Sequence, residues 1–268
     1  MSLNPFSENL AWLWDIIALV ISLFCVMMVV QINGKIQKSG KLPAYVTRKI
    51  VHILAAPVYM LTWLLFSGSA FSRYIALAVP ILFIVQFTAI GTGKMKDEAF
   101  VRSMSRSGDP RELLKGTLYY AIIIFVVTLL WFYLPSTGIE DANPGAFIIL
   151  GCLAGGDGFA DIIGRKYGGD KKFGLFGAEK TIAGSLAMFL GSFIFSFGLL
   201  ALFSIGIPAF NLVQLLLPIV IICVVVTIVE ALSPPNFDNL TIPISVIIMI
   251  IIFALWIPSL WSFPIISL

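Results

Sequence analysis

Eight stretches of the chain, each close to twenty residues long, carry almost no charge: 10–31, 50–66, 73–91, 117–134, 145–163, 182–204, 210–230 and 242–261. A hydrocarbon core about 30 Å thick is crossed by roughly 20 residues of helix. Inside lipid every backbone polar group must find an internal partner, which leaves only helices or closed barrels. Runs this long, with no period-two alternation, specify helices. The expected fold is therefore all-α: a polytopic integral membrane helical bundle of about eight transmembrane helices, with 1–268 a single transmembrane domain. Composition agrees, since 59% of the 268 residues are hydrophobic and 12% charged, against about 25% charged in a soluble domain. The first run lacks a basic flank and is too long for a signal-peptide core, so it reads as a retained span.

The formal net charge of +3 gives no reason to expect a nucleic-acid partner. Its distribution says more. Sixteen of the 17 Lys and Arg residues fall in alternate loops, after spans one, three and five, and Arg73 stands alone at the start of span three. Loops rich in Lys and Arg stay cytoplasmic. With an even number of spans, both termini then lie on the non-cytoplasmic side, together with the acidic outer loop containing Glu140 and Asp141. The three cysteines, Cys25, Cys152 and Cys223, sit in apolar runs without metal-ligand spacing, which argues against a disulfide framework or a zinc site.

A carboxylate in a membrane helix costs at least ~2.5 kcal/mol on insertion scales, so the acids at span ends need a reason. In the stretch 155–169, Asp157, Asp161 and Arg165 fall at i, i+4 and i+8 and share one helix face. Two carboxylates that close repel unless a cation lies between them or one is protonated. Magnesium, held by one or two carboxylates and completed by substrate phosphates, answers that need. An Asp161–Arg165 ion pair worth ~0.3–0.5 kcal/mol is the competing explanation. The segment 171–185 follows, a basic glycine-rich loop with Lys172, Lys180, Thr181 and Ser185 that runs into a helix. Backbone N–H groups at a helix start, together with lysines, favour a phosphate, although a basic loop meeting lipid headgroups has the same composition.

Three further clusters fall on the same predicted side. Arg48, Lys49 and His52 open span two, with Arg48 and His52 one turn apart. Arg111 and Lys115 share a face at the start of span four, with Glu112 near enough to orient either. Glu230 closes span seven, and Asp238 and Asn239 precede span eight after Ser233-Pro234-Pro235. Each has an ordinary explanation as a helix-end polar group, a local ion pair or a helix cap. Five clusters of carboxylates and cations expected at one face are nevertheless what a metal–nucleotide site requires.

Taken in order, Arg-Lys-x-x-His at 48–52, Arg-Glu-Leu-Leu-Lys-Gly-Thr-Leu-Tyr-Tyr at 111–120, Gly-Asp-Gly-Phe-Ala-Asp-Ile-Ile-Gly-Arg-Lys-Tyr-Gly at 156–168, Glu-Lys-Thr-Ile-Ala-Gly-Ser at 179–185, Val-Glu-Ala-Leu-Ser at 229–233 and Asp-Asn-Leu-Thr-Ile-Pro at 238–243 resemble the phytol kinase branch of the polyprenol kinase family. The resemblance covers about 45–245. It implies transfer of the γ-phosphoryl group of CTP, with UTP as an alternative donor, to an isoprenoid alcohol such as phytol, farnesol or geranylgeraniol, with Mg2+ as cofactor. The 161–184 segment is also similar to CTP:phosphatidate cytidylyltransferases, which attack the α-phosphorus instead, but their C-terminal signature is replaced here by Asp238-Asn239.

The resemblance places Asp157 and Asp161 on magnesium, with Glu230 as a further ligand. It assigns Lys180, Arg165, Lys172 and the 171–177 loop to the triphosphate, assisted by Thr181 and Ser185. Arg48, Lys49, His52, Arg111, Glu112 and Lys115 go to the nucleotide by family position. Asp238 is the candidate base for the alcohol proton, with Asp161 an equal alternative. A transporter or a lipid-binding membrane protein is the non-enzymatic alternative. The expected host is a prokaryotic cell membrane, with the active site on the cytoplasmic face; oligomeric state is not legible in the sequence.

Overall fold

The computed structural model describes residues 3–138, 142–170, 172–174, 179–205 and 209–267. Seven helices among them are long and apolar enough to cross a bilayer: Glu8–Lys38, Ser72–Gly91, Pro110–Thr137, Gly145–Tyr167, Ile182–Phe203, Leu212–Leu232 and Asp238–Trp256. The remaining expected run is helical too, as Ala44–Trp63. It falls outside the seven because Arg48, Lys49 and His52 occupy its first half. The chain is an all-α polytopic helical bundle, and Cys25, Cys152 and Cys223 are free thiols. The outer-loop acids Glu140 and Asp141 lie outside the described residues.

The backbone gathers into two compact units, Met1–Ala142 with Ser267–Leu268, and Asn143–Ile266. The first contains α1 (Ala11–Lys38), α2 (Ala44–Trp63), α3 (Ser72–Ala76), α4 (Ala78–Gly91), α5 (Glu98–Met104) and α6 (Gly116–Trp131). Val30, Val51, Phe87, Phe100, Leu113 and Ala121 bring all but α3 of these into one buried cluster. At the start of α1, Asp15 is fully buried. It accepts hydrogen bonds from the Ser67 N–H (2.7 Å) and from the hydroxyls of Ser67 (3.0 Å), Ser69 (2.9 Å) and Ser72 (2.8 Å). These charge-assisted bonds offset the carboxylate's desolvation and tie the loop after α2 to α1.

The second unit contains α7 (Gly145–Leu150), a π-helical turn over Gly151–Gly156, α8 (Asp157–Tyr167), α9 (Ile182–Phe203), α10 (Leu212–Leu232) and α11 (Asp238–Trp256). The continuous helix Gly145–Tyr167 is its central member, with 78% of its span buried against 33–44% for α9, α10 and α11. Close packing against α9 explains why its middle is built of small residues. A Cβ on Gly155 would lie 2.6 Å from the Gly191 carbonyl oxygen and 2.4 Å from Phe195 Cγ; one on Gly191 would lie 2.5 Å from the Gly155 carbonyl oxygen. Between membrane helices the apolar solvent supplies no driving force, so intimate backbone approach has to supply it.

A side chain at Gly155 therefore has no room, because it would meet the Gly191 carbonyl, a backbone group that cannot rotate away, as well as the Phe195 side chain. Gly155→Val is expected to lower the thermal midpoint of the detergent-solubilised protein, by the equivalent of at least the ~1–3 kcal/mol typical of overpacking. Gly198→Ala, where a Cβ would meet nothing within 4 Å, should leave the midpoint unchanged or slightly higher. Retention of monodisperse protein after graded heating measures both.

Candidate active site

Lys180 is fixed by its backbone before its side chain does anything. Phe173 N–H donates to the Lys180 carbonyl (2.9 Å) and Lys180 N–H donates to the Phe173 carbonyl (2.7 Å), pinching the basic loop into a narrow antiparallel pair. The next residue, Thr181, is the N-cap of α9: its Oγ1 accepts from Gly184 N–H (3.1 Å). Together these aim the Lys180 side chain at the end of α10, where its Nζ donates to Glu230 Oε1. Glu230 is 3% exposed as a residue, and the Lys180 side chain is 21% exposed. Burial by itself would lower the Lys180 ammonium's pKa. The carboxylates of Glu230, then Asp238, then Asp157 more than offset it, and the group titrates above the ordinary lysine value.

Four groups on four different segments thus share one electrostatic environment: Asp157 at the start of α8, Lys180 before α9, Glu230 at the end of α10 and Asp238 at the start of α11. Asp157 is buried directly below the π-helical turn, at 3% exposure. Three carboxylates and one ammonium leave a formal excess of two negative charges, which suits a divalent cation. Among the described residues no group of three His, Cys, Asp or Glu side chains is arranged to hold a metal ion unaided. The donor set fits magnesium in its usual mode, in which one or two protein carboxylates share the ion with substrate phosphates and water.

The other predicted residues divide. Asp161 and Arg165 do lie on one face of α8, and Arg165 Nε donates to Asp161 Oδ1 at 2.6 Å. Asp157 and Asp161 accordingly occupy different settings, the first buried near Lys180 and the second paired and part-exposed. Thr181 combines its cap role with a place beside Lys180. Ser185, one turn on, has a buried Oγ with no hydrogen-bond partner among the described residues. Lys172 pairs with Glu179 at the surface, holding that carboxyl below its usual range. Lys171 and residues 175–178 of the proposed phosphate loop lie outside the described residues.

In the first unit, Lys49 is buried and the His52 ring lies 4.4 Å from that of Tyr120, whose hydroxyl donates to the His52 carbonyl (2.6 Å). The expected shared face of Arg111 and Lys115 does not form. Residues Pro110–Leu114 make a 3-10 turn, and Lys115, at φ −106° and ψ −121°, breaks it from α6. Nor does Glu112 orient either cation. It accepts from Ser107 Oγ (2.6 Å) and from the N–H groups of Arg106 and Ser107, so it fastens the preceding loop, while Arg111 lies 3.5 Å from Asp109. A carboxylate next to glycine-containing loop backbone satisfies N–H groups that have no other partner.

Comparison with known proteins adds the decisive observation. A soybean (Glycine max) protein named "Probable phytol kinase 3, chloroplastic" is 34% identical over 241 residues, covering 88% of this chain and 71% of the relative. The chain belongs to the phytol kinase branch of the polyprenol kinase family. A rice (Oryza sativa subsp. japonica) "Probable phytol kinase 2, chloroplastic" is 36% identical over 218 residues, covering 79% and 67%, and the "Farnesol kinase, chloroplastic" of Arabidopsis thaliana is 34% identical over 79% and 66%. The chain spans about two thirds of the length of such phytol kinase relatives, from 61% to 71%. No family model matches the chain. No solved structure matches it either. The relatives' names place those proteins in chloroplasts of plants, which runs against the expected prokaryotic cell membrane.

The sequence reading missed the Lys180–Glu230 pair, although a lone acid closing one apolar span and a lone lysine opening another are its traces. Removing one partner of a buried pair leaves an uncompensated charge, which costs roughly 3–5 kcal/mol. Lys180→Met should destabilise toward the lower end of that range, since the lysine keeps some solvent contact, and adding Glu230→Gln should recover part of the loss. Because the Lys180 pKa is raised, its contribution is complete below the ordinary lysine value of 10.5 and is lost only above the raised one. The thermal-midpoint difference between wild type and Lys180→Met should therefore be flat through the neutral range and shrink only in strong alkali.

Proposed function

We propose that the chain is a CTP-dependent isoprenoid alcohol kinase, with UTP as an alternative donor, acting on phytol, farnesol, geranylgeraniol or a similar alcohol at the cytoplasmic face of its membrane. The observation that carries this reading is the set of Asp157 and Glu230, both buried, and the half-buried Asp238 around Lys180, in a chain related to proteins named phytol and farnesol kinases. An isoprenoid alcohol dissolves in lipid with its hydroxyl at the interface, whereas CTP is confined to water. A site at the ends of membrane helices lets both reach one place. The excess of Lys and Arg in alternate loops supports the cytoplasmic side for it, with both termini opposite.

Phosphoryl transfer asks for positioning and charge neutralisation. In the structure, opposite charges satisfy one another as Lys180–Glu230 and Arg165–Asp161. A nucleotide accompanied by Mg2+ brings both signs of charge, so both pairs exchange partners without leaving a buried charge alone. Lys180 and Arg165, with Lys172, turn to phosphate oxygens. Asp157 and Asp161 would hold magnesium, with Glu230 as a further ligand, and the ion supplies neutralisation of the phosphate oxygens when bound. Thr181 spends a lone pair on capping and keeps its proton to donate to a phosphate, and the Ser185 hydroxyl, one turn on and without a partner among the described residues, donates likewise. Asp238 accepts the proton of the alcohol as the alcohol oxygen bonds to the γ-phosphorus and the bond from that phosphorus to the bridging oxygen breaks, releasing CDP. Arg48, Lys49, His52, Arg111 and Lys115 are assigned to the nucleotide on the resemblance of their motifs.

CTP labelled separately at the α and γ phosphates tests the reaction. Purified protein with Mg2+ and a panel of phytol, farnesol, geranylgeraniol and phosphatidate should move γ label, and no α label, into a prenyl alcohol. Transfer of α label into phosphatidate would replace the kinase reading with cytidylyl transfer, and no transfer at all would leave a transporter or lipid-binding role. Asp157→Asn should abolish transfer, and Asp238→Asn should lower kcat by about 10²–10⁴-fold, the usual worth of a general base.

A further inference from the structure

The connection between α10 and α11 is built more tightly than a link between two membrane spans requires. Ser233, the C-cap of α10, is 4% exposed and its N–H donates to the Glu230 carbonyl (3.2 Å). Pro234 and Pro235 have fixed φ angles. Asn236 takes a left-handed φ of 70°, a conformation that Asn tolerates better than most residues. Phe237 N–H then closes a turn on the Pro234 carbonyl (3.1 Å). Across this turn the Ser233 and Thr241 hydroxyls meet at 2.5 Å. The Val229 carbonyl lies 2.8 Å from Ser233 Oγ, and the Phe237 carbonyl 3.1 Å from Thr241 Oγ1.

Two hydroxyl protons serve these three contacts. In one arrangement Thr241 donates to Ser233 and Ser233 to Val229; in the other Ser233 donates to Thr241 and Thr241 to Phe237. Both keep the hydroxyl–hydroxyl bond, and both anchor it to the backbone of a helix end. The bridge stands three residues after Glu230 on one side and three residues after Asp238 on the other, one helical turn from each carboxylate. Ser233 is buried and Thr241 half-buried, and this partial removal from water strengthens the bond relative to one in water.

We propose that Ser233 and Thr241 are positioning residues: their hydroxyl bridge sets Asp238 in place relative to Glu230 and Lys180. The inference rests on the assignment of Asp238 as the base. A proton acceptor displaced by about 1 Å loses on the order of 10²-fold in rate, so a bridge that fixes the spacing of two carboxylates acts on kcat rather than on nucleotide affinity.

Thr241→Val keeps the side-chain shape and deletes the O–H. Rates are normalised to monodisperse folded protein. The expected result is a kcat lowered roughly 10- to 100-fold with the KM for CTP and for the alcohol within about 3-fold of wild type. Thr241→Ser should restore kcat. Ser233→Ala should give the same kcat loss, and the Ser233→Ala/Thr241→Val pair should be no worse than either single change. In an Asp238→Asn background Thr241→Val should have no further effect. A Thr241→Val enzyme with wild-type kcat, failure of Thr241→Ser to rescue, or an undiminished Thr241→Val loss in the Asp238→Asn background overturns the positioning role. Asp238→Asn with wild-type kcat overturns the parent assignment instead, so the two failures are told apart. If Thr241→Val does not fold, the kcat of Ser233→Ala decides by the same criterion.

Discussion

An ammonium group held among carboxylates at the edge of an apolar bundle sets the terms for the rest of the second unit. Taking an ion out of water costs several kcal/mol even after relaxation, and only close, well-oriented partners repay it. Lys180 meets that requirement because its backbone is pinned on both sides, by the pair with Phe173 before it and by the Thr181 cap after it. The acids it meets arrive from the end of α10, the start of α11 and, with Asp157, the interior of the continuous helix Gly145–Tyr167 where α8 begins. Three carboxylates for one lysine would repel without it, so Lys180 is what allows α8, α10 and α11 to bring their charged ends close.

Depth is the other half of the problem. Asp157 is buried because α8 continues a helix whose glycine face lies directly on the backbone of α9. Bulkier residues at Gly155 or Gly191 would push the two helices apart and let water or lipid between them. The same contact that substitutes for a hydrophobic driving force in lipid therefore also fixes how far Asp157 stands from Lys180. Stability and site geometry depend here on the same few atoms, in contrast to the first unit, where the Asp15–serine network ties a loop without joining any of the residues singled out for chemistry.

The sequence was most legible where the bilayer left no choice. Apolar runs of the right length became helices, some within a residue of their expected ends, as for 182–204 and Ile182–Phe203, while the run 10–31 continues as helix to Lys38 and the run 50–66 begins at Ala44. Contacts at short helical spacing were also legible, as with Asp161 and Arg165 at i, i+4. Lys180 and Glu230 are fifty residues apart, and no periodicity records a contact of that range. Glu112 was misread because adjacency to Arg111 and Lys115 suggested an ion pair, whereas unsatisfied loop N–H groups compete for the same oxygens and won. Arg111 and Lys115 were misread because a 3-10 turn advances side chains differently from the α-helix assumed for them. The helix 145–163 was found, but the π-helical turn inside it leaves no mark in composition beyond Gly151, Gly155 and Gly156.

That turn makes the length of an otherwise bland segment critical. A π-helical ring closes on i+5 where an α-helical ring closes on i+4, so Gly151–Gly156 accommodates an extra residue in the winding. Each residue of an α-helix advances the chain by about 100°. Deleting any one residue from 151–156 would look harmless in a hydropathy profile, since an apolar run would merely shorten by one. It would also return the helix to regular winding with α8 facing nearly the same way, because six loosely wound residues turn the chain about as far as five at that angle. A deletion in Gly145–Leu150, where no extra residue is stored, would instead swing Asp157 and Asp161 off the face they share. In this stretch the number of residues carries as much information as their identity.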